Sequence, residues 1–423
     1  MSPVSHALAA VKGMNDILPE EVGRWHAFEG RFRAAVERFG YGEIRVPVIE
    51  QTSLYVRSVG EGTDIVDKEM YSFVFHDEPL TVRPEGTAGV VRAYVEHGVP
   101  TREPVSRYYY LGPMFRGERP ARGRYRQFHQ AGCEVLGDPG PAVDAEMIDM
   151  LVRFFASLSI DGLEVLVNSL GGKGTKARYR ERLLAYLEPM RATLSEDSQR
   201  RLGTNPLRVL DSKHERDQAA IAGAPSVLDS VDDEDKRHFD RLCELLARLG
   251  TPFRVEPRLV RGLDYYARTL FEVKGQGGDL GAQNTLCGGG RYDGLVEELG
   301  GPAGVPSIGF AMGIERILLA SSFGAESGKA TVFVAPLGDK AGAEALVIGR
   351  DLRDAGVTTV VERRGGSLKA MLRRANGLSA RVAIVLGDSE LERGVVQLKD
   401  LGAHSQADVT RDGLLAAVRE KLA

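Results

Sequence analysis

The sequence predicts an α+β protein: a core built on an antiparallel sheet flanked by helices, a helical insertion, and a separate C-terminal α/β domain. Three observations support this. Strand-like runs at 70–75, 79–83, 106–113 and 127–136 follow one another without a helix between each, as in antiparallel rather than doubly wound sheets. Residues 170–248 then switch to amphipathic helical spacing, in ARYRERLLAYLEPM (177–190) and VDDEDKRHFDRLCELLARLG (231–250). From Thr331 onward, strand and helix signals alternate.

In chain order, Val22, Trp25, Phe28, Phe32 and Val36 recur near helical spacing over 21–38, and Gly40 and Gly42 end that helix. Ile44–Ile49 reads as a short strand interrupted by Pro47. The four strand runs follow, with a small-residue helix start at Thr87–Ala88. Pro206 and Pro225 fall in the polar material between the two helical patterns of the insertion. Strand signals return at 253–260 and 268–273, a Gly-rich connection follows, and 307–320 reads as a strand or turn feeding a helix. In the tail, TVFVAPLG, VTTVVE and ARVAIVLGD are strands, while 340–355 and SLKAMLRRANGL are helices. A short VVQLKDL run and a helix at 412–422 complete it. The expected divisions are 1–169 and 249–325 for the two parts of the core, 170–248 for the insertion and 331–423 for the tail domain.

Composition excludes several classes. Lys and Arg number 55 against 59 Asp and Glu, a net charge of -4, so any nucleic-acid contact is local rather than a general basic coat. An apolar fraction of 43% rules out global disorder. Cys133, Cys243 and Cys287 stand far apart and the 8 histidines form no HExxH pattern, which disfavours a disulfide framework and a metal held by a protein-only cluster. No apolar run approaches the ~18 residues of a membrane span, and the N-terminus lacks a basic-then-apolar leader. A soluble cytoplasmic protein, with no membrane contact, is expected.

Four segments carry candidate chemistry. The first, 108–137, reads as a β-hairpin whose long loop holds Arg116, Arg119, Arg122, Arg124 and Arg126 against one acid, Glu118. On its return arm Gln130 and Glu134 lie four residues apart and share a face, so both can serve one small ligand beside an anion held by Arg116. Gly132 and Cys133 add little bulk, which leaves room for a planar ring. In the second, 80–98, Arg83, Glu85 and Thr87 alternate ahead of a helix, and Glu85 with Thr87 suits an ammonium group and a nearby donor. The third, 257–273, sets Arg261, Asp264, Tyr265 and Tyr266 between apolar runs. An arginine there is costly to bury without an anion, either a bound phosphate or an internal carboxylate. An extended strand would turn the two tyrosines to opposite faces. The fourth is 286–301 with 306–320. Its Gly288, Gly289 and Gly290 let main chain pass beneath a flat or anionic ligand, although neither a P-loop nor a GxGxxG fingerprint is present. Arg316 follows in GIERI, where a surface pair with Glu315 is the plain alternative. Each segment alone also reads as solvated charge or ordinary packing.

In order and wording, MNDILP, GYGEIRVPVIEQTSLY with Pro47, RPEGTAG, FRGERPARGRYRQFHQAGCEVLG, RGLDYYARTLFEV, and GGRYDGL with GFAMGIERI cover the chain from one end to the other. They resemble the histidyl-tRNA synthetase family of class II aminoacyl-tRNA synthetases, bacterial type. The second stretch is similar to class motif 1, the fourth to motif 2 and the last pair to motif 3. RGLDYY together with RYRQFHQ narrows the likeness to histidine.

The resemblance implies a class II catalytic core and an anticodon-binding tail. It implies that L-histidine is activated with ATP to histidyl-adenylate and pyrophosphate, then transferred to the 3′ end of tRNA(His). It assigns catalysis to Arg116, Arg261, Arg316 and Gln130, with Arg116 and Arg261 at the α-phosphate and Arg316 at the γ-phosphate. ATP would meet Arg116, Arg124, Tyr125, Arg261 and Arg316. Histidine would meet Glu85, Gly86, Thr87, Arg116, Gln130, Glu134, Arg261, Tyr265 and Tyr266, with Glu134 and Tyr266 reading the imidazole. Mg²⁺ would travel mainly on the ATP phosphates. Motif 1 implies a homodimer, the insertion a clasp on the tRNA acceptor arm, and the tail, with six Lys or Arg over 361–381, a contact with the anticodon. Two other readings remain: a non-catalytic histidine-sensing paralogue that regulates a partner enzyme of histidine biosynthesis, and a nucleic-acid-binding regulator. The presence of Arg116, Arg261 and Arg316 argues against both.

Overall fold

The computed structural model describes residues 8–60, 63–160, 162–275, 284–324 and 331–422. The chain divides into two units, Met1–Gly324 and Ala325–Ala423. Among the described residues no helix is long and apolar enough to cross a membrane.

The first unit opens with a helix, Pro19–Glu37, which begins on proline with Glu20 and Glu21 in its positive first turn and buries Ala27, Phe28, Phe32 and Val36. Strand β1 (Gly42–Glu43) follows. Strands β2 (Ile49–Gln51), β3 (Tyr71–Phe75) and β4 (Glu78–Val82) form a small antiparallel sheet ordered β2-β4-β3. The charged hairpin is present as β5 (Ser106–Phe115) and β6 (Gln127–Leu136). With β7 (Glu164–Ser169), β8 (Arg254–Val255), β9 (Ala267–Lys274), β10 (Thr285–Arg291) and β11 (Ser307–Gly313) it builds an eight-stranded sheet ordered β1-β5-β6-β11-β10-β9-β7-β8. Its central pairs are antiparallel; only the edge pairs β1·β5 and β7·β8 are parallel.

Three expected elements differ. The strand expected at Ile44–Ile49 is reduced to β1 before it and β2 after it, because Pro47 has no N–H to give a ladder. The signal at 253–260 yields only β8, which Pro252 and Pro257 bracket. The Gly-rich connection is instead β10, a central strand of the sheet. Its glycines admit close neighbours rather than form a turn: a Cβ on Gly288 would collide with the Arg261 guanidinium.

The main core lies between the sheet and the helices Pro19–Glu37, Pro141–Ser157, Asp233–Leu249 and Ile314–Ala320. Phe239, Leu242 and Leu246 of the third join this core, whereas Tyr179, Leu183, Leu202, Val209, Ile221 and Val227 make a cluster of their own in the insertion. One ion pair inside the unit is completely dry. Arg291, at the end of β10, and Asp144, in the first turn of Pro141–Ser157, are both 0% exposed and 2.6 Å apart. Thr269 Oγ1 donates to the same carboxylate at 2.6 Å, His238 Nε2 lies 2.9 Å from it, and Arg291 donates to the Asp138 and Gly140 carbonyls.

The second unit has strands β12 (Thr331–Leu337), β13 (Thr359–Val361), β14 (Ala380–Gly387), β15 (Val395–Asp400) and β16 (Ser405–Thr410), ordered β13-β12-β14-β15-β16. The first three are parallel, linked by the helices Asp339–Asp354 and Leu368–Gly377. Strand β16 was not expected. Its sequence SQADVT is polar, as an exposed edge strand permits.

Removing one partner of a buried ion pair leaves the other charge without water or counter-ion. D144N is therefore expected to lower unfolding free energy by about 3–5 kcal/mol in urea titrations, and a loss below about 1 kcal/mol would contradict the network's role.

Candidate active site

The charged hairpin, the segment before β9 and the helix after β11 bring four arginines to one cleft. Arg116 follows β5, its N–H bonded to the Arg126 carbonyl across the hairpin. Its Nε donates to Pro84 O at 2.9 Å and its guanidinium lies 5.2 Å from the centre of the Phe128 ring. Arg316, on the helix Ile314–Ala320, donates to the carbonyls of Gly123 (3.0 Å) and Thr285 (3.2 Å). It makes no pair with Glu315. That carboxylate accepts from His129 N at 2.8 Å and has His129 Nδ1 at 2.9 Å. Arg261 pairs with Glu272 on β9, so the internal carboxylate accounts for its burial, and it still faces the same cleft. Arg124 pairs with Glu118 and lines the cleft with Tyr125. Burial, and then the charges of Arg124, Arg116 and Arg261, push the Arg316 pKa down, while Glu118 opposes them. Such a surplus of cations favours a polyanion.

A second group of polar side chains is buried beside it. The Glu85 carboxylate accepts from Thr87 N (2.7 Å) and Ala88 N (2.8 Å), so it caps the helix Thr87–Glu96 just past Gly86. Glu134, 0% exposed near the end of β6, accepts from Thr87 Oγ1 at 2.7 Å and from Tyr292 Oη at 2.5 Å. Burial raises its pKa to about 8, against the lowering pull of Tyr292 and Thr87. Gln130 shares its face of β6 and lines the arginine cleft, and its Oε1 is buried with no partner among the described residues. Arg83 is a tie rather than a ligand, donating to the carbonyls of Pro113 (2.8 Å) and Val46 (3.0 Å).

Two expectations about shape fail. The space beside Gly132 is not left for a planar ligand: a Cβ there, or on Gly86, would strike the ring of Tyr110, which already fills it. Tyr265 and Tyr266 do not point to opposite faces of a strand. They lie in a turn just before β9, both buried, with ring centroids 4.7 Å apart. Tyr292, within GGRYDGL, joins this group, although no local pattern in the sequence marks it. Its ring lies 5.7 Å from that of Tyr265, and its hydroxyl takes one oxygen of Glu134.

An antiparallel sheet carrying this cleft, with a separate α/β unit behind it in sequence, defines the class as that of class II aminoacyl-tRNA synthetases with an anticodon-binding domain. The histidyl-tRNA synthetase family model matches residues 13–317 and an anticodon binding domain model matches 331–421. The histidine–tRNA ligase of Sorangium cellulosum (strain So ce56) is 56% identical over 414 residues, covering 98% of this chain and 96% of that protein. That of Synechocystis sp. is 46% identical over 98% of this chain and 93% of its own. The crystal structure of the apo S. aureus histidyl-tRNA synthetase superposes with a TM-score of 0.81 at 34% identity, covering 97% of this chain and 99% of that one. The chain belongs to the histidyl-tRNA synthetase family, and is an ATP-dependent ligase of that family.

The buried carboxyl has a measurable signature. Folded Glu134 keeps its proton to about pH 8, whereas a free glutamate loses it near 4.5. The folded state thus binds the extra proton between those values, and stability falls as pH rises through that window. E134Q should flatten this slope, so that wild type loses on the order of 2–4 kcal/mol more than E134Q between about pH 5 and pH 9 in urea titrations. Parallel pH profiles would contradict the assignment.

Proposed function

We propose that the chain activates L-histidine with ATP, forming histidyl-adenylate and pyrophosphate, and then passes histidine to the 3′ end of tRNA(His). The observation that carries this reading is the meeting of two environments: a cleft of four arginines and, on the same strand face, a buried Glu134 held by hydroxyl groups. The first suits the phosphates of ATP and the histidine carboxylate. The second suits an imidazole, whose neutral ring offers one N–H donor and one acceptor.

The chemistry asks little of a base. A carboxylate attacks the α-phosphorus, the bond to the β-phosphate oxygen breaks, and pyrophosphate leaves with the electron pair. The protein brings two anions together and stabilises charge on the equatorial oxygens. Arg116 and Arg261 would serve the α-phosphate, Arg316 the γ-phosphate, and Arg124 with Tyr125 the remainder of the nucleotide; a guanidinium supplies a permanent charge and a donor fork. Glu134 and Tyr266 would read the ring, since each Glu134 oxygen keeps a second lone pair beyond its present bond. Glu85, Thr87 and Gln130 would hold the amino-acid end, and the unpartnered Gln130 Oε1 supports this. Mg²⁺ would offset phosphate charge while riding on ATP. The cleft fits that arrangement, because Glu315 is engaged by His129 and Glu118 by Arg124.

The insertion would hold the acceptor arm and the second unit the anticodon. Exposed Arg363, Lys369, Arg373 and Arg381 support the latter, whereas Glu362 engages Arg364 and Arg374. Apolar Ile49, Phe73, Val74 and Phe75 are exposed on one small sheet, which supports a second copy of the chain covering them.

Histidine-dependent ATP–pyrophosphate exchange tests the reading. R261K is expected to lose about 2–4 kcal/mol of transition-state stabilisation, because an ammonium cannot hold Glu272 and two oxygens as a fork does; near-wild-type exchange by the folded variant would refute the role. A chain ending at Gly324 should keep part of its exchange activity and lose tRNA charging at subsaturating tRNA. Unchanged charging would remove the tRNA role from the second unit.

A further inference from the structure

The turn that carries Tyr265 and Tyr266 is held from the insertion. Lys176 lies in the first turn of the helix Lys173–Leu187, whose Tyr179, Leu183 and Leu187 belong to the insertion cluster. Its Nζ donates to the carbonyl oxygens of Asp264 at 3.1 Å and Tyr266 at 2.8 Å. Those two carbonyls bracket Tyr265. A second contact comes from the same side: Asn205 Nδ2 donates to Asp264 Oδ1 at 2.6 Å. From the core, Asp264 N bonds to Val59 O at a longer 3.4 Å, and the two tyrosine rings pack in a cluster with Leu270, Tyr292 and Leu295. The Asp264 side chain also packs against Gly60, whose φ of +97° and lack of a Cβ let it approach. Core packing thus seats the rings, while the lysine holds the backbone on both sides of Tyr265.

We propose that Lys176 is a positioning residue for histidine recognition: reaching in from the insertion, it fixes the turn that presents Tyr265 and Tyr266, and so ties the placement of the insertion to the shape of the amino-acid pocket. The inference rests on the histidine pocket proposed above. Lys176 touches neither substrate in that arrangement. Burial lowers its pKa, opposed by Asp264 and Glu298, so its ammonium depends on these partners rather than on solvent. Without it, two carbonyls lose their donor and the turn is free to relax away from Glu134.

Pyrophosphate exchange by the full chain, with histidine and ATP varied separately, tests the proposal in wild type, K176R and K176M. K176Q, which can still donate to one carbonyl, replaces K176M if circular dichroism shows the latter to be unfolded. K176M and K176Q are expected to raise the histidine KM about 10-fold or more, with ATP KM and melting temperature near wild type. K176R should recover most of the loss, because it keeps the charge and several donors. An unchanged histidine KM in folded K176M or K176Q would overturn the proposal. So would equal losses for both substrates with a lowered melting temperature, the mark of a mere staple between insertion and core. Absence of histidine-dependent exchange in wild type would instead overturn the pocket reading, and this inference with it.

Discussion

Glu134 stands where a carboxyl group is hardest to keep, in a central strand of the sheet, out of reach of water, with Tyr108 opposite on β5 and Gly309 opposite on β11. Much of the surrounding sequence follows from accommodating it. Residue 309 has to lack a side chain, since a Cβ there would overlap the carboxylate. Thr87 has to start a helix with its hydroxyl turned inward, and Glu85 secures that start by capping it. Tyr292 has to arrive at the end of β10, beside Arg291, whose dry pair with Asp144 anchors that strand end. Burial raises the pKa of this carboxyl, while the two hydroxyl donors favour its charged form and pull it back down.

The neighbouring cleft has the opposite character. Four guanidinium groups gather there, all steadied by backbone carbonyls or by carboxylates: Arg116 by Pro84, Arg316 by Gly123 and Thr285, Arg261 by Glu272, Arg124 by Glu118. Fixed donors of this kind need not reorganise when negative charge develops. Gln130 lies between the two environments, on the face of β6 that carries Glu134 and at the wall of the cleft. An amino acid lying along this strand would present its ring to the carboxyl and its carboxylate to the arginines.

What was legible in the sequence was local. The hairpin at 106–136 declared itself through alternation and an arginine-rich loop, and the parallel tail through its strand–helix rhythm. Family wording pointed to Arg116, Gln130, Glu134 and Arg316 but could not say what each touches: Gln130 and Glu134 lie on β6, Arg116 just past β5 and Arg316 on the helix Ile314–Ala320. β10 was hidden because glycine is a poor strand former, and only long-range neighbours explain why glycines stand there: Arg261 beside Gly288, Phe271 and Phe310 beside Gly289, Thr269 and Tyr266 beside Gly290. β16 was hidden by its polar edge position. The space beside Gly132 looked open because nothing local reveals that Tyr110, opposite it on β5, folds over it. Tyr292 is separated from Glu134 by 158 residues, and a contact of that range leaves no periodic trace.

The most direct measurement is the titration of Glu134 itself, followed by carbon-13 NMR of selectively labelled glutamate carboxyls with E134Q used for assignment. In the free protein, one resonance belonging to Glu134 should titrate near pH 8, and bound histidine should shift that midpoint by placing a ring N–H donor against the carboxylate. A Glu134 resonance that titrates like a solvent-exposed glutamate, or one indifferent to saturating histidine, would contradict the account.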